Sequence, residues 1–479
     1  MDARRLTRRS FLGGGLTVVG ATVLPARAAR AAVADLDFAS ALEAARAIRR
    51  GDVSSVELTT RMLDRIARFN PKINAIVTLA GDAALARARA ADEARARGEW
   101  WGPFHGVPCT VKDTFEVAGV TTTAGLPTLK SHVPARDAVV VARLRGAGAV
   151  VLGKTNVPPA AADWQSYNEV FGVSNNPWDL ARTPGGSTGG GAAALAAGLT
   201  YLEPGSDLGG SIRVPAHFCG VYGHKPTLGV VPLRGHIPPP PGTPPGPPPL
   251  LPVAGPLARS AADLRAALEA LGGPDEEEAR AYRWSLAPAR GTRLADYRIG
   301  FVLDNPACRV SSDVREVHAR ATEALRRAGA KLEEGWPQGV SPAQQYDTYL
   351  YLLNSVFAFT LRDDQVEEMR RRAETQDGSY QAKQALAWTA PFKNSTPPGR
   401  SRAAGPPSPT SRGWLPSRAA RPSPTRRTGT RPCPPAVAQA PSPPRRSSGA
   451  PGGSGRPSGP GARGAGGRAS SSRCGRPSG

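Results

Sequence analysis

Apolar positions along the chain alternate between two spacings. Leu58, Met62, Leu63 and Ile66 fall on one helical face, and Ser54-Ser55-Val56-Glu57 ahead of them has the form of a capping box. An alanine-rich stretch over 83–97 predicts a second helix, ended by Gly98. Between 105 and 155 the pattern predicts a strand over Val107–Val111, a helix near 137–146 and a strand over Ala149–Leu152. Further on, Ser260-Ala261-Ala262-Asp263 caps a helix carrying Leu264, Leu268 and Leu271, which Gly272-Gly273 stops. Ile299–Leu303 reads as a strand. Val314, Val317, Ala321 and Leu325 read as a helix leading to a strand near Lys331-Leu332. Strands separated by helices predict an α/β layered domain, and no internal repeat is visible. The proline-dense run Pro238–Pro252 predicts an extended surface loop.

Composition narrows the class. An apolar fraction of 40% over 479 residues excludes a wholly disordered chain, and five cysteines exclude a disulfide-built scaffold. The formal charge of +22 suggests a nucleic-acid partner only until it is located. Residues 1–31 carry +5, residues 394–479 carry +15, and the body between them carries +2. No nucleic-acid face is expected from so neutral a body.

The two ends read differently from the body. Arg8-Arg9-Ser10-Phe11-Leu12, a short uncharged run through Leu24 and the small residues Ala26, Ala28, Ala29 and Ala31 have the layout of a secretory signal. The arginine pair resembles a twin-arginine export signal, so 1–31 is expected to direct export to the periplasm or beyond. The apolar run is too short for a comfortable membrane span, so no stable anchor is expected after cleavage. The tail 394–479 holds 15 Arg and no Lys, Asp or Glu, with few large apolar residues. It predicts a disordered basic segment or an out-of-frame translation of a GC-rich gene, and the abrupt change at Lys393-Asn394 favours the second.

The chemistry is concentrated in 182–216. Two glycine-flanked serines, Ser187 and Ser211, stand 24 residues apart, with an alanine-rich helix expected between them. Glycines beside a serine leave backbone N–H groups clear of side chains, as an oxyanion site needs. A serine nucleophile also needs a base. None of the six histidines forms a metal-ligand pair, whereas Lys112, at the end of an apolar run, could serve if burial kept it neutral. Gly148–Thr155 fits a P-loop pattern, but Ala149–Leu152 reads as a strand and Pro158-Pro159 blocks the helix that a P-loop requires. Gly185-Gly186-Ser187-Thr188-Gly189 also fits the nucleophile elbow of α/β-hydrolases, with Ser187 attacking and a later histidine as base. Cys109, Cys219 and Cys308 read as small buried apolar residues, although a pairing is open, and His217 reads as a packed or substrate-flanking residue.

Gly185-Gly186-Ser187, then Asp207-Leu208-Gly209-Gly210-Ser211-Ile212-Arg213-Val214-Pro215, together with Val111-Lys112-Asp113 upstream, resemble the amidase signature family. Gly153-Lys154-Thr155-Asn156, Ser174–Trp178, Gly223–Thr227 and Gly255–Ser260 extend the resemblance, which spans about 36–393 and is most specific over 105–260. It implies an α/β fold with a mixed central sheet covered by helices on both faces, in one domain over 32–393 that is incomplete at its C-terminal side.

The resemblance also implies a cofactor-free, metal-free hydrolysis of a small-molecule amide. Ser211 is then the nucleophile, Ser187, on a cis peptide, is the bridge, and Lys112 is the base. The N–H groups of Leu208, Gly209, Gly210 and Ser211 form the oxyanion hole, and Asp207 and Arg213 orient the turn. Thr188 and Gly191 depart from the serines usual in the family, as do Leu208 and His224 from its commoner residues. The oligomeric state stays open, a homodimer included. Two other roles also stay open: a secreted basic binding protein acting through the tail, and an amidotransferase subunit, which the export signal disfavours.

Overall fold

Capping and burial together set the first helices. The computed structural model describes residues 36–243, 250–276, 278–305 and 309–358, with four single residues between 364 and 371. The expected export signal, the tail and Cys308 lie outside the described residues. Helix α1 (Ala41–Arg50) opens on a Ser40/Glu43 capping box, and α2 (Ser55–Ile73) on the expected Ser54/Glu57 box. Leu58, Met62 and Ile66 of α2 are buried, as their shared face requires. Strand β1 (Ile76–Leu79) leads into α3 (Gly81–Ala96), which packs Ala84, Ala88, Ala91 and Ala94 inward. The expected strands follow as β2 (Pro108–Lys112) and β3 (Val150–Thr155), with α4 (Val139–Gly146) between them.

Both strands are buried along their whole length, which explains their continuous apolar character. They pair in parallel, and β1 adds antiparallel to β3, giving the order β1-β3-β2. At Gly153 the backbone of β1 comes so close that an added Cβ would sit 2.1 Å from the Thr78 carbonyl oxygen.

After the two-residue strands β4 (Tyr167–Asn168) and β5 (Gly172–Val173) comes α5 (Gly189–Ala196), the helix expected between the two serines. Then follow β6 (Leu202–Asp207), α6 (Arg213–Cys219), β7 (Tyr222–Gly223) and β8 (Val253–Ala258). These strands form an antiparallel set in the order β6-β8-β7. Strand β6 runs beside β2 in the same direction: Tyr201 N–H donates to the Pro108 carbonyl at one end, and Lys112 Nζ to the Ser206 carbonyl at the other. Two three-stranded sheets thus abut along β2 and β6, with α5 packed on both.

Helix α7 (Ala261–Leu271) begins at the expected Ser260 cap. Its buried Asp263 accepts from the Ala41 and Leu42 N–H groups and so also caps α1. Strand β9 (Arg298–Phe301), α8 (Ser312–Arg327) and β10 (Lys331–Glu334) form a separate parallel βαβ unit, followed by α9 (Pro342–Ala358). The described part of the proline-rich run contains no helix or strand before Val253.

Candidate active site

The carboxyl ends of β2 and β6 lie side by side, and a turn from β6 leads directly into α6. Lys112 is the last residue of β2, and Ser206 and Asp207 are the last two of β6. The third contribution comes from the approach to α5, where the Gly186–Ser187 peptide is cis. Lys112 Nζ lies 2.7 Å from Ser187 Oγ, 2.9 Å from Ser206 Oγ and 3.3 Å from the Ser206 carbonyl oxygen. Lys112 is fully buried and Ser187 nearly so, while Ser211 is 7% exposed. The Thr188 N–H donates to the Ser211 carbonyl at 3.1 Å, which holds the residues after the two turns together.

Burial pushes the Lys112 ammonium down to about 7, against the opposing pull of Asp207 and Glu203. A lysine in that state is largely uncharged just above neutrality and has a lone pair to offer. The Asp207 carboxylate accepts from the Gly210 N–H at 2.8 Å and the Ile212 N–H at 3.1 Å, and from Arg213 Nε and Nη2 at 3.0 and 2.9 Å. Burial would raise the Asp207 pKa, but Arg213 and these N–H groups outweigh it and hold the group low. The turn 208–212 is therefore folded around a carboxylate. Its bond to Gly210 takes up one of the four N–H groups expected in the oxyanion hole.

Other residues singled out in the sequence sort themselves by contact. Lys154, within the P-loop pattern, lies in β3, pairs with Asp113 at 3.2 Å and donates to the Phe115 carbonyl and Thr122 Oγ1. The pattern is a buried strand, as expected. No strand precedes Ser187, since 181–186 is irregular, and its Oγ meets Lys112. Both features weigh against a nucleophile elbow. Cys109 and Cys219 are free and buried, with burial pushing each thiol up to about 12. His217 is exposed beside Phe218.

Three contacts at the site went unread in the sequence. Ser206 contacts Lys112 directly. His236 Nε2 lies 2.8 Å from Ser206 Oγ. Glu203, fully buried on β6, accepts from Thr110 Oγ1 at 2.6 Å and Thr155 Oγ1 at 2.5 Å, and burial pushes it up to about 7. A Cβ on Gly191 would stand 2.5 Å from the Glu203 carboxyl carbon. That clash accounts for glycine at a position where the resemblance expects serine.

Residues 57–400 match the Amidase family model. A glutamyl-tRNA(Gln) amidotransferase subunit from Moorella thermoacetica is 39% identical over 307 residues, covering 63% of this chain and 61% of the relative. Its counterpart of the same name from Azoarcus sp. is 43% identical over 304 residues, covering 62% and 61%. The chain thus spans about three fifths of the length of these curated relatives. Among solved structures, fatty acid amide hydrolase matches with a TM-score of 0.60 at 25% identity, covering 74% of this chain and 59% of that one. The peptide amidase of Stenotrophomonas maltophilia matches with a TM-score of 0.56 at 30% identity, covering 74% and 76%.

Proposed function

The chain belongs to the Amidase family, and we propose that it is an amidohydrolase that cleaves a carboxamide to a carboxylate and ammonia or an amine. In this reading Ser211 Oγ attacks the amide carbonyl carbon, Ser187 Oγ takes its proton, and the Ser187 proton passes to the lone pair of Lys112. The tetrahedral oxyanion faces the N–H groups of Leu208, Gly209 and Ser211, with the Gly210 N–H kept by Asp207. Lys112 returns the proton through Ser187 to the departing nitrogen, which leaves as the C–N bond breaks. Water then releases the carboxylate from Ser211 along the same relay.

One observation carries the reading: a fully buried lysine, pushed down to about 7, lies 2.7 Å from a serine hydroxyl beside a glycine-rich turn. The test is hydrolysis of a panel of acyl amides and esters by the full chain and by Ser211→Ala, Ser187→Ala and Lys112→Ala. Loss of turnover in all three supports the reading, and full activity in Ser211→Ala would end it. Acylation surviving in Ser211→Ala but not in Ser187→Ala would instead favour the elbow.

The two glutamyl-tRNA(Gln) amidotransferase subunits give a second reading, in which this chain is an amide-cleaving member of a larger complex. Purification of the full chain from its own cells separates the two, since only the second reading requires co-purifying partner chains for turnover. We also propose that residues 1–31 export the protein. Replacing Arg8 and Arg9 by lysine should then leave it in the cytoplasmic fraction.

A further inference from the structure

His236 lies beyond β7, far in sequence from both serine turns, and the reaction proposed above does not use it. Its ring is half-buried and edge-on to Phe115, with centroids 4.9 Å apart. Nδ1 stands 3.0 Å from the Pro238 carbonyl oxygen, and Nε2 stands 2.8 Å from Ser206 Oγ. A carbonyl oxygen can only accept, so the ring hydrogen sits on Nδ1. In the neutral ring, Nε2 is then bare and takes the hydrogen of the Ser206 hydroxyl. Burial, and then the Lys112 charge, push His236 down to about 4, so the neutral ring persists through the range in which Lys112 titrates.

The consequence falls on Lys112. A neutral amine has two hydrogens and one lone pair, and three oxygens surround it. With its single hydrogen given to His236, Ser206 Oγ can only accept from Nζ, at 2.9 Å. The Ser206 carbonyl oxygen, at 3.3 Å, also only accepts. Both amine hydrogens are therefore drawn to Ser206, and the lone pair is left for the Ser187 hydroxyl at 2.7 Å. Without an acceptor at position 236, the Ser206 hydroxyl can turn its hydrogen toward the same lone pair and compete with Ser187.

We propose that His236 is a positioning residue: through Ser206 it fixes the direction of the hydrogen bonds around Lys112, so that the amine faces Ser187 ready to accept a proton. The proposal rests on the amidohydrolase reading and deepens it.

The test compares kcat and KM of the full chain with those of His236→Phe, which keeps a ring but accepts nothing, and His236→Gln, whose Oε1 can still accept from Ser206. The expected result is a kcat loss of roughly tenfold or more in His236→Phe with KM within about twofold, and near-complete recovery in His236→Gln. In a Ser206→Ala background, His236→Phe should have no further effect, because the hydroxyl it acts through is gone. Melting temperatures establish that each variant folds, and His236→Leu is the second non-accepting variant if the phenylalanine does not fit. Three outcomes overturn the proposal: an unimpaired His236→Phe, a His236→Gln as slow as His236→Phe, or a His236→Phe loss undiminished by Ser206→Ala. If His236→Phe is fully active while Lys112→Ala and Ser211→Ala are dead, the relay device fails and the hydrolysis stands. An active Ser211→Ala removes the hydrolysis itself.

Discussion

Lys112 and Lys154 stand one register step apart on paired strands, Val111 opposite Lys154 and Lys112 opposite Thr155. Both are buried, yet Lys154 has the Asp113 carboxylate at 3.2 Å, while the hydrogen-bond partners of Lys112 are hydroxyl and carbonyl oxygens. Burial pushes both amines down, but only Lys154 has a carboxylate paired with it to oppose the shift, which leaves Lys112 as the candidate base. For Lys112 the accepting form is the neutral amine, and its pKa is pushed down to about 7. The sign follows: kcat/KM should rise about tenfold per pH unit below about 7 and level off above it. A pH–rate profile checks this, and a rate that falls as pH rises through 7 would contradict the base assignment. Lys154→Ala acts on stability instead, because it leaves the Asp113 carboxylate buried without its cation. A loss of about 3–5 kcal/mol in denaturant unfolding is expected. A stability change within error would mean that the pair contributes little.

At the scale of elements, close backbone contact decides where α5 lies. A Cβ on Gly190 would meet the Asn156 N at 2.4 Å and the Ala75 carbonyl oxygen at 2.6 Å, both backbone atoms that cannot step aside. Gly190→Ala should therefore destabilise the fold by about 1–3 kcal/mol, read as a lowered melting temperature, and should slow turnover because α5 follows Ser187 directly. An unchanged melting temperature would mean that the contact relaxes freely. The glycines were visible in the sequence, as were the capped helices α2 and α7 and the apolar strands β2 and β3. Strands β6 and β8 were not, although β6 ends at the site. Leu202–Asp207 reads Leu-Glu-Pro-Gly-Ser-Asp, and a proline argues against an interior strand. The ladder tolerates it because Pro204 faces Pro256 across the β6–β8 pair, where neither residue has an N–H to donate and the narrow, unbonded type of pairing applies. The contacts of Ser206, Glu203 and His236 were missed for a related reason. Their partners lie 30 to 94 residues away, and no local spacing encodes contacts made only when strands align.

Across the whole molecule, burial divides the described residues into two tiers. The core extends from Ala41 to Leu271 and includes the strands, the α5 helix and the buried site residues. Beyond Gly273, Thr322 and Ala330 are the only buried residues among those described. Helix α8 exposes Val317, and β9 and β10 pair only with each other. Local opening free energy follows the apolar surface that opening exposes, so a unit with two buried residues should open well before the sheet that carries Lys112. Hydrogen exchange on the full chain should therefore show amides of 298–334 exchanging faster than those of 108–112 and 202–207, by about tenfold for each 1.4 kcal/mol of difference. The β9–β10 ladder has regular parallel hydrogen bonds, so the difference would reflect packing rather than missing hydrogen bonds. If the two groups of amides exchange together, the chain opens as one cooperative unit and the division by burial carries no energetic weight. If 298–334 exchanges first while turnover is unaffected by denaturant at that level, the site does not depend on the β9–α8–β10 unit.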